Sequence, residues 1–129
     1  MALARQSDAT LIKPLSGAVV RRRTCGGSVN AGDSVYLDSS GYVQQTAGTA
    51  VATNYPYGVT VQAGSANDTV DVVVYGPVSF VTGATPGGIV YTSDTAGQPS
   101  HTTGTKTSIV GVAESATVVF IRPAIVSLS

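Results

Sequence analysis

The chain has 129 residues, of which 43% are hydrophobic and 11% are charged, and its formal net charge is zero. This length and apolar content suit one domain with one core, and the single cysteine, Cys25, excludes an intrachain disulfide and a cysteine-based metal cluster. No apolar run is long enough to cross a bilayer and the pI is about 6.5, so we expect neither a membrane nor a nucleic acid as partner.

Residue usage favours strands over helices. The chain holds 20 Val and 16 Thr but only 2 Lys and one Glu, so β-branched residues far outnumber good helix formers. Its 15 Gly supply the turns that many short strands need. We therefore predict an all-β protein, a small β-barrel or β-sandwich. The low charge also predicts that other subunits cover part of the surface, as in a homo-oligomer.

The first 16 residues differ from the rest of the chain. They show no sustained period of 2 or 3.6 and Pro14 interrupts them, so we expect an extended basic N-terminal arm over residues 1–16. Residues 1–23 carry five basic and one acidic side chain, a net charge of +4, whereas residues 24–129 carry two basic and six acidic ones, a net charge of −4. We expect the five basic side chains to bind acidic groups of a partner or of a neighbouring copy. These residues are Arg5, Lys13, Arg21, Arg22 and Arg23. For the three consecutive arginines the alternative is a solvated edge strand whose charge prevents pairing with other strands.

From residue 17 onward, short apolar runs alternate with turn residues, which predicts a series of strands. Within the run Thr69–Tyr75, Val70, Val72 and Val74 are expected to share one face. Residues 47–54 are small and polar and are expected to form a loop. The predicted strands are Ala18–Arg23, Val35–Leu37, Tyr42–Val43, Gly58–Gln62, Thr69–Tyr75 and Val78–Val81.

The same succession of features occurs twice. The motif G-x-x-V-Y at residues 32–36 recurs 55 positions later at residues 87–91, and Gly58-Val59 is matched by Gly111-Val112. We interpret this as an internal duplication. The two similar β-units cover about residues 17–78 and 79–123, inside a single β domain of residues 17–129 with a short C-terminal tail.

Residues able to carry chemistry lack partners near them in the sequence. His101 lies among Ser and Thr in a predicted polar loop, and Cys25 precedes two glycines. A general base, a nucleophile or a metal ligand needs such partners. Asp33, Asp38 and Asp94 adjoin Gly and Ser, where an aspartate commonly caps its own turn. We expect no enzyme activity, no catalytic residue, no bound metal and no cofactor.

Three segments of the second unit resemble the closing part of tailed-phage capsid decoration proteins, also called cement proteins. They are the runs PGGIVYTSDTAG at 86–97 and IVGVAESA at 109–116, and the strand at 118–123. The first unit, with its own G-x-x-V-Y and G-V motifs, is similar to the opening part of these proteins. The resemblance covers about residues 17–123 and implies a small β-barrel or β-sandwich, often trimeric.

The resemblance also implies a function. Such a protein is a virion component on the outer surface of the head, made in the host cytoplasm, that locks neighbouring major capsid proteins together. The arm and the arginines at 21–23 would then contact the capsid or a neighbouring copy. The alternative is a glycan- or receptor-binding β-module of a head fibre or tail, in which Tyr55 and Tyr57, on either side of Pro56, would stack on sugar rings.

Overall fold

A computed structural model describes residues 3–6, 9–47, 56–105 and 108–125. Over these residues the prediction of an all-β fold is confirmed: the paired strands are antiparallel, with one 3₁₀ turn at Ala9–Leu11. The strands are β1 (Ala4–Arg5), β2 (Lys13–Pro14), β3 (Val19–Thr24), β4 (Ser34–Leu37), β5 (Val43–Gln45), β6 (Gly58–Thr60), β7 (Thr69–Ser79), β8 (Val81–Thr82), β9 (Ile89–Thr92), β10 (Pro99–Ser100), β11 (Ser108–Ala113) and β12 (Val118–Ile125).

The two halves of the chain pair their strands in the same order. We define the first half as residues 19–75 and the second half as residues 76–125. Neighbouring strands follow the order β5-β4-β6-β7-β3 in the first half and β10-β9-β11-β12-β7 in the second. The registers also agree, since Val35 pairs with Gly58 in one half and Val90 pairs with Gly111 in the other. Each half is a curled sheet of the same design.

Strand β7 belongs to both halves. Up to Tyr75 it pairs with β3 and β6, and from Gly76 onward it pairs with β12 and β2. The sequence predicts two separate strands here, whereas the structure runs one strand through Gly76 as far as Ser79. Gly76 has a φ of +105°, and a Cβ at this position would lie 2.7 Å from the Cα of Ala18. Glycine allows the strand to bend at this point without ending.

Each half surrounds its own apolar core. In the first half, Val70 and Val72 of β7 point into this core and Val74 packs against it, as the alternation predicts, whereas Val73 points into the core of the second half. At Val72 and Val73 both faces of β7 are therefore buried, which makes this part of the strand the wall between the two cores. The first-half core consists of Cys25, Val29, Val35, Val43, Val70 and Val72.

The two curled sheets are closed in different ways. In the first half, Cys25 forms a parallel bridge with Val43, and the N–H of Gly26 donates to the Val43 carbonyl at 2.9 Å. The corresponding carbonyl in the second half, that of Pro99, accepts the N–H of Leu3 at 3.0 Å. Strand β1, which follows Leu3, pairs with β8. The start of the chain thus fills the seam between β8 and β10.

The described part of the leading segment, residues 3–6 and 9–16, is part of this body. Leu3 and Ile12 are buried in the second-half core, and β2 pairs with the end of β7. The predicted arm is extended in its strands, but it lies on its own chain instead of projecting from it. Its irregular pattern has a physical reason, because only a few of its side chains fill a core that other strands have built.

Gly58 and Gly111 occupy the same position in the two halves. A Cβ on Gly58 would collide with the carbonyl oxygen of Val73, and a Cβ on Gly111 would collide with the carbonyl oxygen of Phe120. In each case the neighbouring strand approaches closer than any side chain allows. The recurrence of G-V in the sequence therefore has a structural cause, a close strand contact that each half requires.

Candidate binding surface

Strand β3 lies at the surface with both of its faces uncovered. Side chains alternate between the two faces of a strand, so packing on one face produces alternate burial. In β3 the residues from Val19 to Arg22 are all exposed, and only the last two are partly buried. Its pairing with β7 covers one edge, and no described strand pairs along its other edge over Val19–Thr24. The strand therefore presents its side chains and a backbone edge to a partner.

The first two of the three consecutive arginines are available for new contacts. Arg22 Nη1 lies 3.2 Å from Asp71 Oδ1, in an ion pair between cross-strand neighbours that are both solvent-accessible. An exposed pair of this kind contributes little free energy, so a partner's carboxylate can replace Asp71. Arg21 is exposed and has no ion pair within the described residues.

Arg23 and Tyr57 contact each other through a hydrogen bond and a cation–π interaction. The Nε of Arg23 donates to the Tyr57 hydroxyl at 3.1 Å, and its guanidinium lies over the ring, 5.4 Å from the centroid. This cation–π contact covers a ring face of the kind on which a sugar would stack. Tyr57 is also partly buried against the first-half core. Tyr55, the other tyrosine of the glycan hypothesis, lies outside the described residues.

Arg5 and Lys13, the predicted contact residues of the leading segment, differ in their availability. Lys13 is exposed on β2. Arg5 Nη1 lies 2.8 Å from Oδ1 of Asp33, whose side chain is fully buried. Arg5 is therefore engaged within its own chain, while Lys13 remains accessible to a partner.

The carboxylate of Asp33 is buried where three parts of the chain meet. The backbone N–H of Asn30 and the Nε2 of Gln45 donate to its Oδ2 at 2.7 and 2.6 Å. Gly97 of the second half packs so closely that a Cβ there would lie 2.7 Å from the Asp33 Cγ. Burial raises the pKa of Asp33, and the hydrogen bonds and the charge of Arg5 oppose this rise. Asp33 thus joins the two halves and the leading segment.

Apolar side chains border the arginines of β3. Val19 and Tyr75 are cross-strand neighbours and each is about half exposed, and Val20 is also exposed. The Tyr75 ring contacts Phe120 edge-on, with 5.1 Å between centroids. Arginine and tyrosine beside apolar groups are enriched in protein interfaces. We call Val19, Val20, Arg21, Arg22 and Tyr75 the β3 surface.

His101 and Cys25, the residues of possible chemical interest, have structural surroundings. The N–H of Thr85 donates to His101 Nε2 at 3.0 Å, so Nδ1 carries the proton and donates to the Ile89 carbonyl at 2.9 Å. The ring thereby fastens the end of β10 to the segment that enters β9. Cys25 is fully buried, and burial raises the pKa of its thiol, with the charge of Asp68 adding to the effect. A thiol in this environment is a poor nucleophile.

The described residues show neither a metal site nor a membrane-spanning helix. They contain no group of three or more His, Cys, Asp or Glu that could hold a metal ion. Among them, too, no helix has the length and apolar character needed to span a membrane. No protein-family model matches the chain, and no curated protein sequence matches it. The resemblance to capsid decoration proteins therefore stays a prediction.

Proposed function

We propose that this protein is a virion structural protein that decorates the outside of a phage head and stabilises the capsid by bridging adjacent major capsid proteins. The observation that carries the proposal is the β3 surface, an uncovered strand on which guanidinium and apolar groups lie side by side. Such a surface suits the face of another protein better than a small molecule. The resemblance over residues 17–123 supplies the class of partner.

The chemistry of the β3 surface defines what it would bind on the shell. Arg21 and Arg22 each offer a planar guanidinium that can form paired hydrogen bonds with a carboxylate. Val19 and Tyr75 lie on the same face as Arg22 and would exclude water from its bonds and strengthen them, whereas Arg21 offers its guanidinium on the opposite face. The complementary surface on a major capsid protein is an apolar patch edged by Asp or Glu.

Bridging requires more than one contact for each decorating unit. A single β3 surface is small, so one contact alone would be weak. In a homo-oligomer, for which the resemblance favours a trimer, several β3 surfaces would engage neighbouring capsid proteins together. The second and later contacts then form at high effective concentration, and their combined affinity would hold adjacent capsid proteins in place.

Binding to heads assembled without this protein tests the proposal. Purified protein is mixed with such heads over a range of concentrations, and the bound fraction is measured by co-sedimentation. We expect saturable binding that weakens as salt is raised, because exposed charges are screened. Arg21→Glu should lower the affinity about tenfold or more, since it places like charges opposite one another.

A matched control separates the β3 surface from a general effect of charge. Thr103→Glu also adds a negative charge at an exposed position, on the segment after β10, at the opposite end of the strand order from β3. This variant should bind as the unaltered protein does. An absence of binding by the unaltered protein, or equal losses from both substitutions, would refute the proposal.

A further inference from the structure

The outer side of the second half carries a row of exposed and half-buried apolar side chains. Ile89 of β9 pairs with Val112 of β11, Val112 pairs with Phe120 of β12, and Phe120 pairs with Pro77 of β7. Directly paired residues point to the same face of a sheet, so these four side chains form one line across four strands. Ile89 is 40% exposed and Val112 is 39% exposed. We call these four residues the outer row.

Two of the corresponding positions of the first half are buried within the chain. Val59 pairs with Val73 across β6 and β7, just as Val112 pairs with Phe120 across β11 and β12. Val59 and Val73 have no exposed surface, because both lie in the second-half core. The fold therefore covers this face in one half and leaves the equivalent face open in the other.

Two opposite charges flank the outer row. Glu114 follows β11 and its N–H donates to the carbonyl of Val118, two residues before Phe120. Arg122 lies two residues after Phe120. Both charged side chains are exposed, and neither has an ion pair within the described residues. Four residues of strand, about 13 Å, separate Val118 from Arg122, so Glu114 and Arg122 of one chain cannot meet.

We propose that the outer row is the contact with a second copy of this chain, in a dimer whose two-fold axis runs along the row. Rotation about that axis lays the two sheets face to face with their strands reversed. Each row then packs on its counterpart. Arg122 of each copy lies opposite Glu114 of the other, so the two-fold symmetry produces this ion pair twice. A face with one cation and one anion on opposite sides of an apolar line is complementary to itself.

The size of the contact sets the expected strength. Four strands about 4.8 Å apart, over some 13 Å of strand, give a flat area of roughly 250 Å². Stable complexes bury about 800 Å² per partner, so this dimer should be weak, with a Kd in the range of roughly 10 to 500 µM. This contact is isologous and so differs from the head-to-tail contacts of a trimer. The dimer contact is also independent of any binding to the capsid.

Sedimentation velocity of the whole chain, from about 1 µM to about 1 mM, measures this association. The unaltered protein should double in mass as its concentration rises, and Val112→Asp should not, because it places a charge in the row. Leu37→Asp is the matched control, since Leu37 is similarly exposed, at 37%, but lies on β4. The control should dimerise normally. Circular dichroism and thermal melts establish that each variant is folded.

Charge exchange tests the two-fold geometry itself. Glu114→Arg alone, or Arg122→Glu alone, should raise the dimer Kd about tenfold, because two like charges then face each other. The double variant E114R/R122E should recover the original Kd, because it restores both opposite pairs. A monomer at every concentration, a trimer in place of the dimer, or a double variant as weak as the single ones would overturn the proposal.

Discussion

Arg5 and Asp33 form the ion pair that fastens the start of the chain to the rest, with Nη1 2.8 Å from Oδ1. Asp33 is fully buried, whereas the Arg5 side chain is 28% exposed. The two atoms form no directed hydrogen bond, so their attraction is electrostatic. The pair lies where the leading segment, the loop before β4 and the segment around Gly97 come together, and this position makes its loss costly.

Removal of Arg5 should therefore destabilise the fold. Arg5→Ala leaves the Asp33 carboxylate buried without its cation, and we expect a loss of about 3 kcal/mol in the free energy of unfolding, measured by urea denaturation. Arg22→Ala is the control, because it breaks the exposed pair with Asp71 and should cost less than about 1 kcal/mol. Similar losses in both variants would contradict the assignment of Arg5 as a structural residue.

The contribution of Asp33 to stability should decrease as pH rises, which is the opposite of the usual behaviour of an aspartate. Burial raises the pKa of Asp33 in the folded protein, so its stabilising contribution is present below the unfolded pKa and is lost as pH rises through the folded pKa. The free energy of unfolding of the unaltered protein relative to Asp33→Asn should therefore fall as pH is raised from about 4 to 7. An increase over this range would contradict the account.

Asp38 and Asp94 contribute to the pH dependence of stability with the opposite sign. Their contribution cancels when the unaltered protein is compared with Asp33→Asn. Hydrogen bonds from Gln44 lower the pKa of Asp38, and bonds from Thr105 lower the pKa of Asp94. Their contribution is present above the unfolded pKa and is lost as pH falls through the folded one. It is common to both proteins in the comparison and cancels if the three sites are independent.

The leading segment should be required for folding. Leu3 is 1% exposed in the second-half core, and Leu3→Ala should lower the free energy of unfolding by about 3 kcal/mol. Leu11 belongs to the same segment but is 45% exposed, so Leu11→Ala should cost less than about 1 kcal/mol. Denaturant titrations of both variants measure the difference. Equal, small losses would show that the segment is an appendage and that its removal spares the body.

Gly58 and Gly111 should tolerate no side chain. Each lies against a carbonyl oxygen of the neighbouring strand, so Gly58→Ala and Gly111→Ala should each cost about 3 kcal/mol or prevent folding. Gly27→Ala is the control, because a Cβ there would make only an ordinary contact of 3.7 Å with Gln44. It should change stability by less than about 1 kcal/mol. Thermal melts and expression of folded protein provide the measurement.

Strand positions follow from local pattern, but strand continuity does not. The short run between Gly17 and the Gly26-Gly27 turn predicts a strand at Ala18–Arg23, and the structure has β3 at Val19–Thr24. The Gly76-Pro77 pair normally marks a turn, so local reasoning separates the two apolar runs around it. In the structure different strands pair with β7 before and after Gly76, and these long-range contacts carry the strand through the bend.

The β3 surface and the other predicted contact residues could be predicted from the sequence only where they depend on residues close to one another in the chain. Exposure of Arg21 and Arg22 agrees with three consecutive charges on a strand, which cannot all be buried. The pairing of Arg5 with the buried Asp33 depends on the packing of the leading segment in a seam of the second half, and no short sequence motif predicts such packing. The apolar part of the β3 surface was also missed, because sequence alone does not distinguish an uncovered valine from a core valine.

The thermal resistance of heads tests the central claim, that the protein binds the outside of a capsid and bridges its subunits. Heads assembled without the protein are heated with and without saturating amounts of it, and release of their DNA is followed by dye fluorescence. The account predicts release at a higher temperature with the unaltered protein, and no gain with Arg21→Glu at the same concentration, just above that needed to saturate the unaltered protein. Release at the same temperature with and without bound, unaltered protein would contradict it.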